Sequence, residues 1–253
     1  MADAAKPESV TAAILVIGDE ILSGRTKDKN IGYIAGYMTN LGIDVKEVRV
    51  VPDEEPEIVA ALDALRGRYT YVFTTGGIGP THDDITADCV AKAFGVGIDV
   101  DPRARAMLLT RIKEADLNEA RLRMARIPAG ADLIVNKVSS APGFRIGNVH
   151  VMAGVPSIMQ AMLDEVAPTL KTGVKMLSET VRADLREGDI GTPLAAVAKA
   201  HPGVTIGSYP FVDERGPNSN IVVRSRDPQM LAAAKLAVED MLTAVRAGLR
   251  RTA

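Results

Sequence analysis

Acidic residues fall at three points just beyond apolar runs of this sequence. Asp19 and Glu20 follow residues 12–17, Asp53 follows residues 43–51, and Asp83 and Asp84 close the stretch Thr74-Thr75-Gly76-Gly77-Ile78-Gly79-Pro80-Thr81-His82. Glycines between a strand and a helix let backbone N–H groups approach an anion, since no Cβ stands in the way. Carboxylates are hard oxygen donors, and one or two of them, completed by water and phosphate oxygens, hold a divalent cation. The combination points to diphosphate chemistry. Asp84, Asp83, Asp53 and Glu20 are the candidate metal ligands, and the first three of these are the candidate catalytic acids. The cation would act as a Lewis acid and lower the pKa of bound water, while the amides stabilise charge developing on phosphate oxygens. Other glycine loops do not fit. A Walker A loop needs a lysine that this stretch lacks, and the dinucleotide fingerprint needs glycine where His82 stands.

Acids so distant in sequence can meet only if the strands carrying them end along one edge of a sheet. Residues 12–17 are continuously apolar, as in a strand buried on both faces. Ile31, Ile34, Ala35, Met38 and Leu41 then form a helical stripe with Gly42 as its C-cap. Residues 43–51 alternate and predict a less covered strand, followed by a helix with Pro56 in its first turn and Ile58, Val59, Leu62 and Leu65 inward. Tyr69, Tyr71, Val72 and Phe73 mark the third strand. Ile85, Cys89, Val90 and Phe94 mark the helix beyond the glycines. The repeated units predict an α/β fold with a mainly parallel, doubly wound sheet.

Residues 102–126 are helical in pattern, rich in arginine and broken near Asp116-Leu117-Asn118; the arginines suit a solvated helix face or a subunit contact, with Arg121 and Arg123 the ones to choose if one reaches a ligand. Residues 133–139 predict a short strand and Ser140 to Phe144 a loop. Residues 149–152 predict a strand that delivers Ala153-Gly154-Val155-Pro156 to a helix. The pattern then changes. A strand over 174–185, a Gly188-Asp189-Ile190-Gly191 lead into a helix, a hairpin of 204–209 with 221–226, and a last helix capped by Asp227-Pro228 make a β-α-β-β-α unit. The predicted organisation is a flexible start over 1–10, a first domain over 11–172 and a small domain over 173–253.

The string Gly76-Gly77-Ile78-Gly79-Pro80-Thr81-His82-Asp83-Asp84-Ile85-Thr86 resembles the signature of the molybdopterin-binding (MoaB/Mog-like) domain, in the form found at the N-terminus of CinA, the competence/damage-inducible protein A. The run from Ile17-Gly18-Asp19-Glu20 to Asn30 is similar to that family's opening loop, and Ser140-Ala141-Pro142-Gly143-Phe144 and Gly154-Val155-Pro156 to its two later loops. Ala153 departs from the family's usual proline. The resemblance implies a three-layer α/β/α domain followed by a small α+β domain. It implies that Gly76, Gly77, Gly79, Thr81, Gly18, Asp19, Asn30, Gly154 and Pro156 bind a nucleotide or pterin. It matches Asp84 and Asp53 to essential acids of molybdopterin adenylyltransferases, whereas Asp83 is peculiar to the CinA-like branch. That branch is associated with metal-dependent hydrolysis of dinucleotide pyrophosphates such as ADP-ribose, and a related eukaryotic domain with FAD hydrolysis. The expected function is therefore a nucleotide pyrophosphatase using Mg²⁺, Mn²⁺ or Co²⁺, with a monovalent cation as a further candidate cofactor. Molybdopterin binding or adenylylation in molybdenum cofactor biosynthesis is the alternative, and a non-catalytic nucleotide- or pterin-binding module the third reading. A homo-oligomer, dimer or trimer, is expected. The chain stops at Ala253 before any deamidase domain, so deamidation of nicotinamide mononucleotide is not expected.

Composition narrows the field. The 253 residues are 47% hydrophobic and 25% charged, with 30 basic and 32 acidic residues. A net charge of -2 offers no global field to recruit nucleic acid or an anionic membrane. One cysteine excludes an intrachain disulfide framework. No secretory pattern or bilayer-length apolar run is seen, and a cytoplasmic location is expected. Structural alternatives stand beside each candidate. Asp83 or Asp84 would serve equally as a helix cap, Glu20 as a partner of Arg25, Asn30 as a cap, and Thr81 and Thr86 as local backbone ligands. His82 suits a solvated loop position.

Overall fold

In β1 (Thr11–Ile17), Ala13, Leu15 and Ile17 face one hydrophobic layer and Ala12, Ile14 and Val16 the other. Successive side chains of a strand point to opposite faces, so a run apolar at every position belongs inside a sheet covered on both sides. The computed structural model describes residues 9–252, with side chains through residue 249, and places β1 in the sheet interior. Of the start expected to be flexible, residues 1–8 lie outside the described residues. Val10 corrects that expectation: it is buried, and its carbonyl accepts a hydrogen bond from Asp44 N at 2.9 Å.

The described residues through Gly173 form one compact unit. After β1 come α1 (Asp19–Leu22), α2 (Asn30–Asn40), β2 (Asp44–Val51), α3 (Glu55–Arg66), β3 (Tyr71–Thr75), α4 (Thr86–Phe94), β4 (Ile98–Val100) and α5 (Pro102–Leu109). They are followed by α6 (Glu119–Arg123), β5 (Arg126–Pro128), β6 (Asp132–Ile134), β7 (Gly143–Ile146), β8 (Val149–Met152) and α7 (Pro156–Val166). The main sheet has the order β2-β1-β3-β8-β7-β6, parallel through β8 and antiparallel over β7 and β6. Helices α2 and α7 cover one face through Ile34, Met38, Met159 and Met162. Helices α3, α4 and α5 cover the other through Ile58, Leu62, Val90 and Leu108. This is the mainly parallel, doubly wound arrangement that the repeated units predict. The less covered β2 is an edge strand.

Three local expectations are corrected. The strand expected over 133–139 stops at Ile134, because Asn136 Oδ1 accepts from Val138 N at 2.9 Å and Ser139 N at 3.1 Å and turns the chain. The segment read as a loop from Ser140 to Phe144 instead opens β7 at Gly143, where Phe144 pairs with Val151. The arginine-rich helix breaks as expected, with Asn118 capping α6 through a 2.9 Å bond from Arg121 N, but its end at Arg126 is a strand paired with β4.

The second unit begins at Val174. It contains β9 (Leu177–Arg182), α8 (Glu187–Ala200), β10 (Thr205–Asp213), β11 (Gly216–Ser225) and α9 (Pro228–Thr252), with an antiparallel sheet β10-β11-β9. Ile190 and Leu194 of α8 and Leu231, Val238 and Leu242 of α9 pack with Ile221 and Val223 of β11. Asp227 caps α9 as expected, accepting from Gln229 N at 2.7 Å and Met230 N at 3.1 Å. Gly188 to Gly191 lie inside α8 rather than ahead of it, because the helix starts at Glu187.

Candidate functional site

The ends of β1 and β2 are tied together by two bonds. Gly18 N donates to Val51 O at 3.1 Å, and Asp19 N donates to Asp53 Oδ2 at 3.0 Å. The acid that ends one strand thus caps the short helix that follows the other. Asp53 is half-buried, and that burial is the main reason its carboxyl is held above the usual aspartate range. The carboxylates of Asp19, Glu20 and Asp83 push it further up, while the Asp19 N–H pulls the other way. Four acids from beyond the ends of three strands therefore share one electrostatic neighbourhood. Among the described residues Glu20 makes no ion pair with Arg25; its carboxylate folds over the neck, where a Cβ on Gly18 would lie 2.6 Å from its Oε2.

The glycine loop that follows β3 is shaped by close approach. Gly76 has φ +104, and a Cβ there would lie 2.0 Å from Ile17 O; one on Gly77, at φ +67, would lie 2.1 Å from Thr86 Oγ1. No L side chain fits either position. Thr86 closes the loop from inside, donating its hydroxyl to Gly76 O and its N–H to Gly77 O, both at 3.0 Å. Its role is local, as the structural alternative holds.

Asp84 turns away from the helix that it would cap in the structural alternative. Its Oδ1 accepts from Gly79 N at 2.6 Å, and its Oδ2 accepts from Thr81 N at 2.8 Å and from the Thr81 hydroxyl. Neither Asp83 nor Asp84 caps α4 with its side chain; Ile85 N bonds the carbonyl of Asp83 instead. Asn30 also differs from its capping alternative. Asp28 Oδ2 takes Ile31 N at 2.9 Å, while Asn30 is buried and donates Nδ2 to Gly154 O at 2.8 Å, joining the start of α2 to the loop before α7.

A cavity of about 520 Å³ opens at this edge, within the size range of small-molecule sites. Gly76, Gly77, Gly79, Asp84, Glu20, Gly154 and Pro156 line it. Asp53, Asp83, Asp19, Gly18, Thr81 and Asn30 do not. Met124, Val155, Ile158 and Met162 give it an apolar wall. Sequence reasoning missed the lining residues Asn136 and Ser139; the Asn-x-x-Ser spacing of an Asx turn was the signal that could have found them. Arg123 Nη2 reaches Asp84 O at 3.3 Å, while Arg126 forms a two-pronged pair with Asp88 at 2.8 and 2.6 Å. His82 is exposed. Burial pushes the Cys89 thiol up to about 12, which leaves it no nucleophilic role.

Among the described residues no three of His, Cys, Asp and Glu lie close enough together to hold a metal ion. A cage made by protein alone is therefore not preformed, and Asp84 is engaged by its own loop. The donor set does fit a hard cation that arrives with phosphate oxygens and takes one or two carboxylates.

The comparisons agree with this architecture. A family described as a probable molybdopterin binding domain matches residues 13–172, and one described as the FAD synthase middle domain matches residues 175–247. The chain is 30% identical to a probable FAD synthase of Caenorhabditis briggsae over 92% of its own length and 49% of that protein's, so it spans about half the length of that relative. A CinA-like protein of Desulfosudis oleivorans is 34% identical over 89% of this chain and 57% of its own. The crystal structure of the protein CinA with unknown function from Thermoplasma acidophilum superposes with a TM-score of 0.61 at 35% identity, covering 64% of this chain and 98% of that one. Among the described residues no helix is long and apolar enough to cross a membrane. With the glycine loop, the strand-end acids and the sheet order in place over the matched residues, the chain belongs to the molybdopterin-binding (MoaB/Mog-like) domain family, in its CinA-like form.

Proposed function

We propose that the chain is a divalent-metal-dependent nucleotide pyrophosphatase that hydrolyses a dinucleotide pyrophosphate such as ADP-ribose or FAD. The observation that carries this reading is the cavity lined by Gly76, Gly77, Gly79, Glu20 and Asp84, with the half-buried Asp53 set among the carboxylates of Asp19, Glu20 and Asp83 at the neighbouring strand ends. Acids gathered without a lysine or arginine partner near free space suit a site kept for a cation and its phosphate. The apolar wall of Met124, Val155, Ile158 and Met162 suits a flat heteroaromatic ring, and the name probable FAD synthase on a relative points to the same substrate class.

In this reading the loop amides bind the diphosphate and meet charge developing on its oxygens. Glu20 and Asp83 would hold a Mg²⁺, Mn²⁺ or Co²⁺ ion together with phosphate oxygens, and the ion when bound supplies Lewis acidity. Asp53 Oδ1, left over when Oδ2 accepts the Asp19 N–H, takes the proton of the attacking water; its raised proton affinity suits a general base. Water oxygen joins one phosphorus and the bridging oxygen leaves with the other, giving two monophosphates. A second reading, binding or adenylylation of molybdopterin, is favoured by the family description over residues 13–172. Incubation with ADP-ribose, FAD and NAD under each metal, and separately with ATP and molybdopterin, distinguishes them by chromatography. AMP release from a dinucleotide supports the first; ATP-dependent adenylated pterin without dinucleotide cleavage replaces it with the second.

A further inference from the structure

We infer that the Asp84 carboxylate is a built-in occupant of the phosphate site, and that its displacement couples entry of a phosphate or diphosphate to binding of a cation. The inference rests on the phosphate-binding reading of the glycine loop and adds a regulation of that site. Three donors converge on one anion: Gly79 N on Oδ1 at 2.6 Å, Thr81 N on Oδ2 at 2.8 Å, and the Thr81 hydroxyl on the same Oδ2. Two amides and a hydroxyl closing on the paired oxygens of a single negative group is also how a loop holds a phosphate. Gly79 is shaped to that carboxylate, since a Cβ on it would lie 2.6 Å from Asp84 Oδ2. Asp84 lines the cavity wall together with Gly77, Gly79 and Glu20.

Two consequences follow. An incoming phosphate meets amides that are already taken and a negative charge in its place. A cation supplies what is needed to draw the carboxylate off, because it gives Asp84 a new partner and cancels the repulsion. Cation and phosphate then favour each other by the same factor, as linkage requires. Asp84 would be a placeholder in the empty site and a cation ligand in the filled one, a change of partner that a static role as ligand does not contain. Glu54, exposed and outside the loop and the cavity lining, makes the charge control.

The test is calorimetric titration of the full chain with inorganic pyrophosphate in the presence of EDTA. Asp84→Asn can accept at only one of its two former oxygens and is expected to tighten pyrophosphate about tenfold over the parent chain. Glu54→Gln removes one negative charge outside the loop and the site, leaves the Asp84 bonds in place, and is expected to change affinity by less than about threefold. Equal tightening in both variants, or none in Asp84→Asn, overturns the inference. Should Asp84→Asn fail to fold by its melting curve, amide NMR of the parent chain decides: Gly79 and Thr81 resonances are expected to move on adding Mg²⁺ alone and again with pyrophosphate, and resonances that stay fixed at saturation overturn it. A chain that cleaves no dinucleotide under any metal defeats the pyrophosphatase reading and still yields these affinities, so the two failures are distinguishable.

Discussion

In the second unit Arg182 bonds both Asp184 and Asp213, and its guanidinium is the main reason that both carboxyls are held below the usual aspartate range. In the first unit burial holds the Asp53 carboxyl above that range, with the acids Asp19, Glu20 and Asp83 adding to it. Both sets lie on half-exposed loop or strand-end backbone in a well-packed fold. Folding alone pairs its charges, as β9 and β10 do. On the proposed reading, the acids of the first unit are kept for a cation and its phosphate at the 520 Å³ cavity that Glu20 and Asp84 line.

The largest effect that would sharpen this contrast is on turnover. Asp53→Asn keeps an acceptor for Asp19 N but loses the charge and the base, and dinucleotide hydrolysis should fall by at least about a hundredfold in kcat/KM. Stability should move the other way. A carboxyl whose folded pKa is raised favours the folded state when protonated, and that contribution is lost as pH rises through the folded value; the ionised Asp53 is thus a cost at neutral pH. Thermal melting of Asp53→Asn should therefore lie above the parent at pH 7.5 and converge with it in acid. A melting temperature lowered at pH 7.5 would place Asp53 with the structural acids.

Gly76 tests the scaffold of the same site. A methyl 2.0 Å from Ile17 O, at φ +104, forces β1 and β3 apart at their ends, and Gly76→Ala should cost about 3 kcal/mol or more in denaturant unfolding. A loss below about 1 kcal/mol would mean that the loop can relax, and that its shape is not fixed by that contact.

His150 gives the next effect. It is buried between the Tyr71 and Phe73 rings with no hydrogen-bond partner on either nitrogen, and burial lowers its pKa to about 4, with Arg145 adding to the shift. The unfolded chain takes up this proton near pH 6.5 and the folded one near pH 4. Stability should therefore fall as pH drops through that window, by about 3 kcal/mol in all. His150→Leu should flatten this part of the stability curve between pH 7 and pH 4.5, and an unchanged slope would exclude His150 as its source. The smallest effect belongs to the paired acids: Asp213→Ala should leave hydrolysis unchanged and shift melting by no more than about 2 °C, as exposed ion pairs do.

What was legible in the sequence followed from periodicity. The apolar run of β1, the stripe of α2 and the Asp227 cap each have one physical reading, and each is found in place. The glycines of the loop were legible because close approach admits nothing else. Less visible were the three-residue β4 and β5, too short to show a period, and the Asn136 turn, in which one side chain overrides a β-rich stretch. The role of Asp84 was hidden for a different reason. Adjacent acids before a helix look alike in sequence, and only folding shows one carboxylate bent back onto the amides of Gly79 and Thr81.

The most direct measurement is hydrolysis of ADP-ribose in H₂¹⁸O with Mn²⁺, followed by mass spectrometry of both products. AMP and ribose 5-phosphate in equal amounts, with one ¹⁸O atom in the phosphate of one of them, is the predicted result. Intact ADP-ribose under every cation, or cleavage that leaves both phosphates unlabelled, would contradict it.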